Sequence, residues 1–468
     1  MSRFVSIALS AIFAISSVAA ELPWNHGQLK VTGDGRYFCH ADGKPFFWLG
    51  DTGWLLPERL DREEAVEYLD GAAAAGFNVV QVQTVNDVPA HNIYGCSSHP
   101  DGYDFSEVDR DGDGGYWRHV DFIVDAAAER GIYIGMVCIW GGLVKSGKMT
   151  VDEAKAYGSF LADRYKDRPN IVWIIGGDIR GDVRTDEWVA LANAIRSKDD
   201  RHLMSFHPFG RTSSINWFHD APWLDFNMFQ SGHRRYDQTR GDGDDKAQAS
   251  QAEDNWRYVE AARKMLPAKP VLDAEPSYEE IPQGLHDPSE PWWKAPDVRR
   301  YAYWSVLSGA AGHTYGHSSV MQMKKDEPVG AYGAVKTWRE GMRDPGYNQM
   351  KYLRRLMEML PYQEMIPDQD IVAGENGERY ERVVAARGNG WMLLYTYTNS
   401  PFKVNLDKIS GVKKCAWWYD VTDGHIEPAG EYTCETAEFH YREAPTGAGN
   451  DRILIVTDAG LSPIILKK

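Results

Sequence analysis

Five cysteines in 468 residues, at positions 39, 96, 138, 415 and 434, are too scattered and odd in number to form a disulfide framework. None makes the CxxC pair of a structural zinc site, and only Cys415 and Cys434 are candidates to pair, across neighbouring strands, if their Cα atoms lie close enough. Cationic residues are short: 51 Lys and Arg stand against 67 Asp and Glu, a formal net charge of −16. That balance argues against phosphate-backbone recognition and therefore against nucleic acid as a partner. Long apolar runs are missing beyond the N-terminus, and the run at 4–15 is short of the ~20 residues that cross a bilayer, so no membrane span is expected. With Arg3 before it and Val18-Ala19-Ala20 after it, this run makes residues 1–20 a secretory signal peptide, cleaved after Ala20, and implies export to a periplasm or the extracellular space. There is no HExxH for a zinc peptidase and no GxSxG nucleophile elbow for a serine hydrolase. His313 and His317 are four apart, but on a strand-like segment that spacing does not put them on one face as a helix would. The loop 109–115 begins like a calcium loop, yet Val120 stands at the twelfth position where a bidentate Glu is needed, which favours a solvated loop. Neither a metal nor a cofactor is expected.

Aromatic residues, by contrast, are abundant: 17 Trp and 24 Tyr. Their flat faces suit sugar rings, although a large core also uses Trp, so packing and sugar contact both remain open. Strand and helix patterns alternate through the first 345 residues. Apolar β runs at 45–50, 78–85, 133–140, 170–176, 202–207, 224–229, 269–274 and 312–316 have helical segments at 62–75, 117–130, 151–165, 185–197, 254–266 and 298–311 between most of them. Gly76 and Gly131 read as helix C-caps, and Thr150 with Glu153 as a capping box. Eight apolar strands alternating with helices predict an α/β fold, a (β/α)8 TIM barrel with a covered parallel sheet. A doubly wound sheet would need a GxGxxG turn after its first strand, which here ends in GDTGW. The loop at 240–250 is polar. From about 371 short alternating runs at 391–398, 413–419 and 452–456 predict a small antiparallel β-sandwich, with a linking helix at 347–362. The expected domains are therefore a barrel at 21–362, including a β lead-in and the linking helix, and a β-sandwich at 363–468.

In such a barrel the active site lies at the C-terminal strand ends. That rule selects Asp51 and Trp54 on the first strand, Gln83 and Asn86 on the second, Trp140 on the third, Asp178 on the fourth, His207 on the fifth, Gln230 and His233 on the sixth, Glu275 on the seventh and His317 on the eighth. A single strand-end carboxylate often just caps the next helix. Two of them, Asp178 and Glu275, on the fourth and seventh strands of an aromatic-rich barrel, match glycoside hydrolysis, which needs an acid to protonate the leaving oxygen and a second carboxylate on the other face of the sugar. In retaining sugar-cleaving barrels the fourth strand commonly carries the acid/base and the seventh the nucleophile, which by analogy makes Asp178 the acid/base and Glu275 the nucleophile.

The blocks FFWLGDTGW, GFNVVQVQ, RPNIVWIIGGD, HPFGRTSS, LDFNMFQSGHRRYD, DAEPSYEEIPQGLHD and RRYAYWSVLSGAAGHTYGH resemble the apiosidase-like glycoside hydrolase family over about residues 25–360. The tail resembles the β domain that commonly follows it, sometimes labelled collagen-binding. The resemblance implies a retaining exo-hydrolase releasing apiose from rhamnogalacturonan II, with Asp178 as acid/base and Glu275 as nucleophile. Its implied partner is a pectic polysaccharide or oligosaccharide. An Asp in the acid position departs from the Asn-Glu pair of the broader retaining-barrel group, and being one methylene shorter than Glu it requires a closer backbone. Around the pair, Trp140 is a candidate to stack on sugar, and Asp51, His207, Gln230, His233 and Tyr278 are candidate substrate-binding residues. Arg211, Arg234 and Arg235, in loops on the same face, are candidates to meet a galacturonate carboxylate, with solvated loop charge as the competing reading. Two further alternatives stay open: a glycosidase of the same barrel type acting on another plant cell-wall glycan, and a non-catalytic carbohydrate-binding protein.

Overall fold

The computed structural model describes residues 21–238 and 253–461. Residues 1–20, expected to be a signal peptide, and the polar loop at 240–250 lie outside the described residues. Eight parallel strands form the barrel: β1 (Trp48–Thr52), β2 (Val79–Gln83), β3 (Tyr133–Val137), β4 (Ile171–Ile179), β5 (Met204–Pro208), β6 (Asn227–Gln230), β7 (Val271–Asp273) and β8 (Gly312–Thr314). They pair in the order β5-β4-β3-β2-β1-β8-β7-β6. The ring closes between β5 and β6, where the Asp225 amide donates to the Met204 carbonyl at 2.8 Å. The Asp225 carboxylate accepts the Met204 amide at 2.8 Å and is itself held by Arg196 at 2.7 Å. The strands are buried on both faces, which is why they read as continuous β-branched and apolar runs and not as alternating ones.

The outer layer follows the predicted helices closely. Arg62–Ala74 starts with a capping box between Asp61 and Glu64, and Val151–Tyr165 with one between Thr150 and Glu153. Gly76 ends the first of these in the left-handed region, at φ 89°. One crossover breaks the pattern: between β5 and β6 there is no α-helix, only the two-residue strand Thr212–Ser213 and a 3-10 turn at Ser214–Asn216. Among the described residues, no helix is long and apolar enough to cross a membrane.

Residues 366–458 form a six-stranded antiparallel sheet and a two-stranded one, Phe402–Asn405 with Thr436–Phe439. The two-residue side-chain period divides each central strand between two cores. Met392, Leu394, Leu454 and Val456 pack toward the small sheet, whereas Leu393, Tyr395, Ile453 and Ile455 join the barrel core. The helix Ala295–Leu307 lies between barrel and sheet and is buried throughout Val298–Leu307. Tyr303 stacks on Tyr395 with centroids 5.0 Å apart, and Arg299 pairs with Asp451 at 2.6 Å in a fully enclosed site.

One sequence expectation is settled here. Cys415 faces Glu431 in its ladder, while Cys434 lies beyond that strand and is exposed, so the two do not pair; all five cysteines are free. In the 109–115 loop the Asp109 carboxylate takes both Nη atoms of Arg164, at 2.7 and 3.1 Å.

Candidate active site

A cleft of about 580 Å³ opens at the C-terminal ends of the barrel strands. Asp178 and Glu275 both line it, with Trp54, Gln83, Asn86, Trp140, Gln230, His233 and Tyr278. Strand-end reasoning therefore brought together residues from β1, β2, β3, β4, β6 and β7.

The backbone aims Asp178 by an irregularity in β4. Register with β5 shifts between Gly176 and Ile179, and three consecutive residues take positive φ: Gly176 at 87°, Gly177 at 113° and Asp178 itself at 49°. A Cβ on Gly177 would sit 2.6 Å from Cε3 of Trp140, and one on Gly176 would sit 2.7 Å from the His207 carbonyl oxygen. The two glycines thus let the strand bulge toward the cleft, which suits an acid with a side chain as short as Asp.

Glu275 is held from two sides. His233 Nε2 lies 3.1 Å from Oε1, and His207 Nε2 lies 3.4 Å from Oε2. His207 Nδ1 accepts the Asp178 amide at 3.3 Å, so its ring proton resides on Nε2, facing Glu275. One imidazole thereby links the backbone of one carboxylate residue to the side chain of the other. Tyr278 packs edge-on against His233 with centroids 4.8 Å apart, and its hydroxyl accepts Trp54 Nε1 at 3.1 Å. The ring fits because position 316 is glycine: a Cβ there would lie 2.2 Å from Cδ1 of Tyr278.

These surroundings drive the two acidities apart. Burial pushes the Asp178 carboxyl up, the negative charge of Glu275 pushes it further, and the result is about 6. Burial also opposes ionisation of Glu275, but His207 and His233 outweigh it and hold that carboxyl down at about 2. Between those values one carboxyl is protonated and the other ionised, the arrangement that pairs a proton donor with a nucleophile or charge stabiliser.

Not every candidate reaches the cleft. Asp51 is fully buried and faces the helix layer, where it accepts Tyr68 Oη at 2.7 Å and its neighbour's amide at 2.8 Å, so it does not bind substrate. His207 is also fully enclosed and touches the two carboxylate residues instead of the cleft, which makes it a positioning residue. His317 caps the turn at Ser319 and pairs with Asp344 at 2.8 Å. Arg211 and Arg234 line the cleft, while Arg235 is engaged with Asp237 and Glu290. Sequence reasoning missed His286, Gln322 and Tyr332, which reach the cleft from the long loops after β7 and β8. Residues so far from a strand end carry no local signal of where the loop returns.

Comparison with known proteins agrees with this architecture. The family model described as "Apiosidase-like, catalytic domain" matches residues 32–364, and that described as "Putative collagen-binding domain of a collagenase" matches residues 366–457. A solved structure named glycoside hydrolase is 57% identical, with TM-score 0.92 over 94% of this chain and 99% of that one. A second, described as a glycoside hydrolase family 5 protein from Bacteroides vulgatus, is 54% identical, with TM-score 0.91 over 94% of this chain and 95% of that one. A search of curated proteins returned no match. A barrel with two carboxylates of divergent acidity in its cleft, matched by the family model and by these relatives, shows that the chain belongs to the apiosidase-like family of glycoside hydrolases.

Proposed function

We propose that the protein is an exported, retaining exo-glycosidase that releases apiose from the side chains of rhamnogalacturonan II, with the leader cut after Ala20 and the β-sandwich from about residue 363 bracing the barrel. The observation that carries this reading is the opposite displacement of the two acidities in one cleft. In the first step the Glu275 carboxylate attacks the anomeric carbon, and the bond to the leaving oxygen breaks as Asp178 gives that oxygen its proton. Forming the glycosyl ester neutralises Glu275. The charge that helped hold the Asp178 proton is then gone, so the Asp178 carboxylate becomes competent to take a proton from water. That water attacks the anomeric carbon, the ester bond to Glu275 breaks, and the sugar leaves with its configuration retained.

Trp140 provides an aromatic face for the sugar, and Gln230, His233 and Tyr278 provide polar groups. Arg211 and Arg234, on the cleft wall, suit an anionic pectic backbone despite the net charge of −16. The test is digestion of pectic fractions with chromatography of the products, comparing wild type with Glu275→Gln. Apiose should appear with wild type only. Equal release by both proteins would remove Glu275 from its role, and release of a different pentose by wild type alone would keep the mechanism and replace the substrate. A carbohydrate-binding protein without turnover would release nothing and would keep its affinity in the variant.

A further inference from the structure

The left-handed backbone region is unfavourable for residues with a side chain, most of all bulky ones, and strain of this kind collects at functional sites. Nine non-glycine residues adopt positive φ among the described residues, and four of them line the cleft: Asp178, Arg211, Leu285 and Tyr332. Asp178 has an assigned role; Tyr332, at φ 56°, has none.

The surroundings of Tyr332 fix it in place. The Gln322 side chain grips Ala331 from both sides: its Oε1 accepts the Ala331 amide at 2.7 Å, and its Nε2 donates to the Ala331 carbonyl at 3.1 Å. The same Nε2 donates to the Ser318 carbonyl at 2.7 Å, which ties this turn to the helix after β8. The Gly330 amide donates to the Ala334 carbonyl at 2.7 Å and closes the turn around Tyr332. On its far side, a Cβ on Gly333 would sit 3.2 Å from Pro288, so the turn lies directly against the β7 loop. A turn held this firmly presents a ring that stays 38% exposed, packed against His286 at 5.9 Å. Packing does not explain a large ring left this open in a strained conformation, since burying it would be favourable.

We propose that Tyr332 is a sugar-contacting residue, its ring covering the glycone held at Asp178 and Glu275 and its phenol donating to a sugar hydroxyl. Tyr332 shares the cleft with Asp178 and Glu275, and its phenol suits this role because partial desolvation, followed by the charges of those two carboxylates, raises its pKa, so it stays a neutral donor. The ring reaches the sugar from the β8 loop and Trp140 from the β3 end, so the glycone meets aromatic surface from two separate elements.

This contact rests on the glycosidase reading, and the experiment separates the two. Turnover of rhamnogalacturonan II oligosaccharides is measured for wild type, Tyr332→Phe and Tyr332→Ala. Binding of the same oligosaccharides is measured by calorimetry in the Glu275→Gln background with and without Tyr332→Ala. Tyr332→Phe should lower kcat/KM roughly three- to tenfold, the worth of one hydrogen bond, and Tyr332→Ala by more than tenfold, mostly through KM. Both variants should keep the melting temperature and the pH limbs of wild type, which a merely structural role would not predict for the truncation. Turnover and binding within twofold of wild type in Tyr332→Ala would overturn the contact. Absent turnover with binding that still weakens in Tyr332→Ala would overturn the proposed activity and keep the contact. An oligosaccharide that is neither cleaved nor bound would overturn both.

Discussion

At the scale of residues, the cleft places two similar carboxyl groups in unlike surroundings. The proposed double displacement requires Asp178 protonated and Glu275 ionised, so kcat/KM should be level between about pH 2 and about pH 6 and fall tenfold per pH unit above about 6, where Asp178 loses its proton. On an aryl glycoside whose leaving group needs no acid, Asp178→Asn should abolish that upper limb. An unchanged limb would assign it to another group. His233→Ala removes a donor to Glu275, so the carboxyl should rise and the acidic limb of the profile should move upward from about 2. Loss of a hydrogen bond to a charged group costs ~1.5–3 kcal/mol, which corresponds to at least a tenfold fall in kcat/KM. Legibility at this scale was uneven. Asp178 and Glu275 could be read because a carboxylate after an apolar run has few other reasons to be there. Asp51 satisfied the same rule and turned outward, because Tyr68 lies one helix away and supplies a hydroxyl that no pattern in the strand announces.

At the scale of elements, the decisive feature is the bulge at the end of β4. Gly177→Ala forces a side chain into the left-handed region and against Trp140, and should destabilise the protein by roughly 1–3 kcal/mol. It should also lower kcat/KM at least about tenfold by moving Asp178, because small displacements of reacting groups are costly. Chemical denaturation and steady-state kinetics check the two effects separately, and a variant with normal stability and rate would show that the bulge does not aim the acid. The strands and most helices were legible from apolar runs, caps and C-terminal glycines. The bulge was not, since GGD reads equally well as the plain end of a strand. The β5 to β6 crossover was silent for another reason: its short strand and 3-10 turn are built by tertiary pairing of Thr212 with Gln230, not by local periodicity.

At the scale of the whole molecule, barrel and β-sandwich share a core. Arg299 and Asp451 form an enclosed pair across the junction, and the Arg300 guanidinium, paired with Glu253 at 2.7 Å, lies over the rings of Trp304 and Tyr397, one from each part. Removing one member of a buried pair leaves an uncompensated charge and costs ~3–5 kcal/mol. Arg299→Ala should therefore lower the melting temperature while calorimetry still shows a single cooperative transition. Two separate transitions in wild type would mean that the parts fold independently. The sequence change near residue 370 revealed that a second unit begins there. It could not reveal that alternate residues of Trp391–Thr396 serve two different cores, because a strand buried on both faces loses the alternation that would mark them.

The proposed double displacement requires that Glu275 become covalently bonded to the sugar. In Asp178→Ala the group that activates water is gone, so an aryl glycoside with a good leaving group should glycosylate the enzyme faster than water releases the sugar. Intact mass spectrometry should then show one added glycosyl unit, and peptide mapping should place it on Glu275. A protein that turns the aryl glycoside over with no adduct, giving a sugar of inverted configuration, would contradict double displacement at this site.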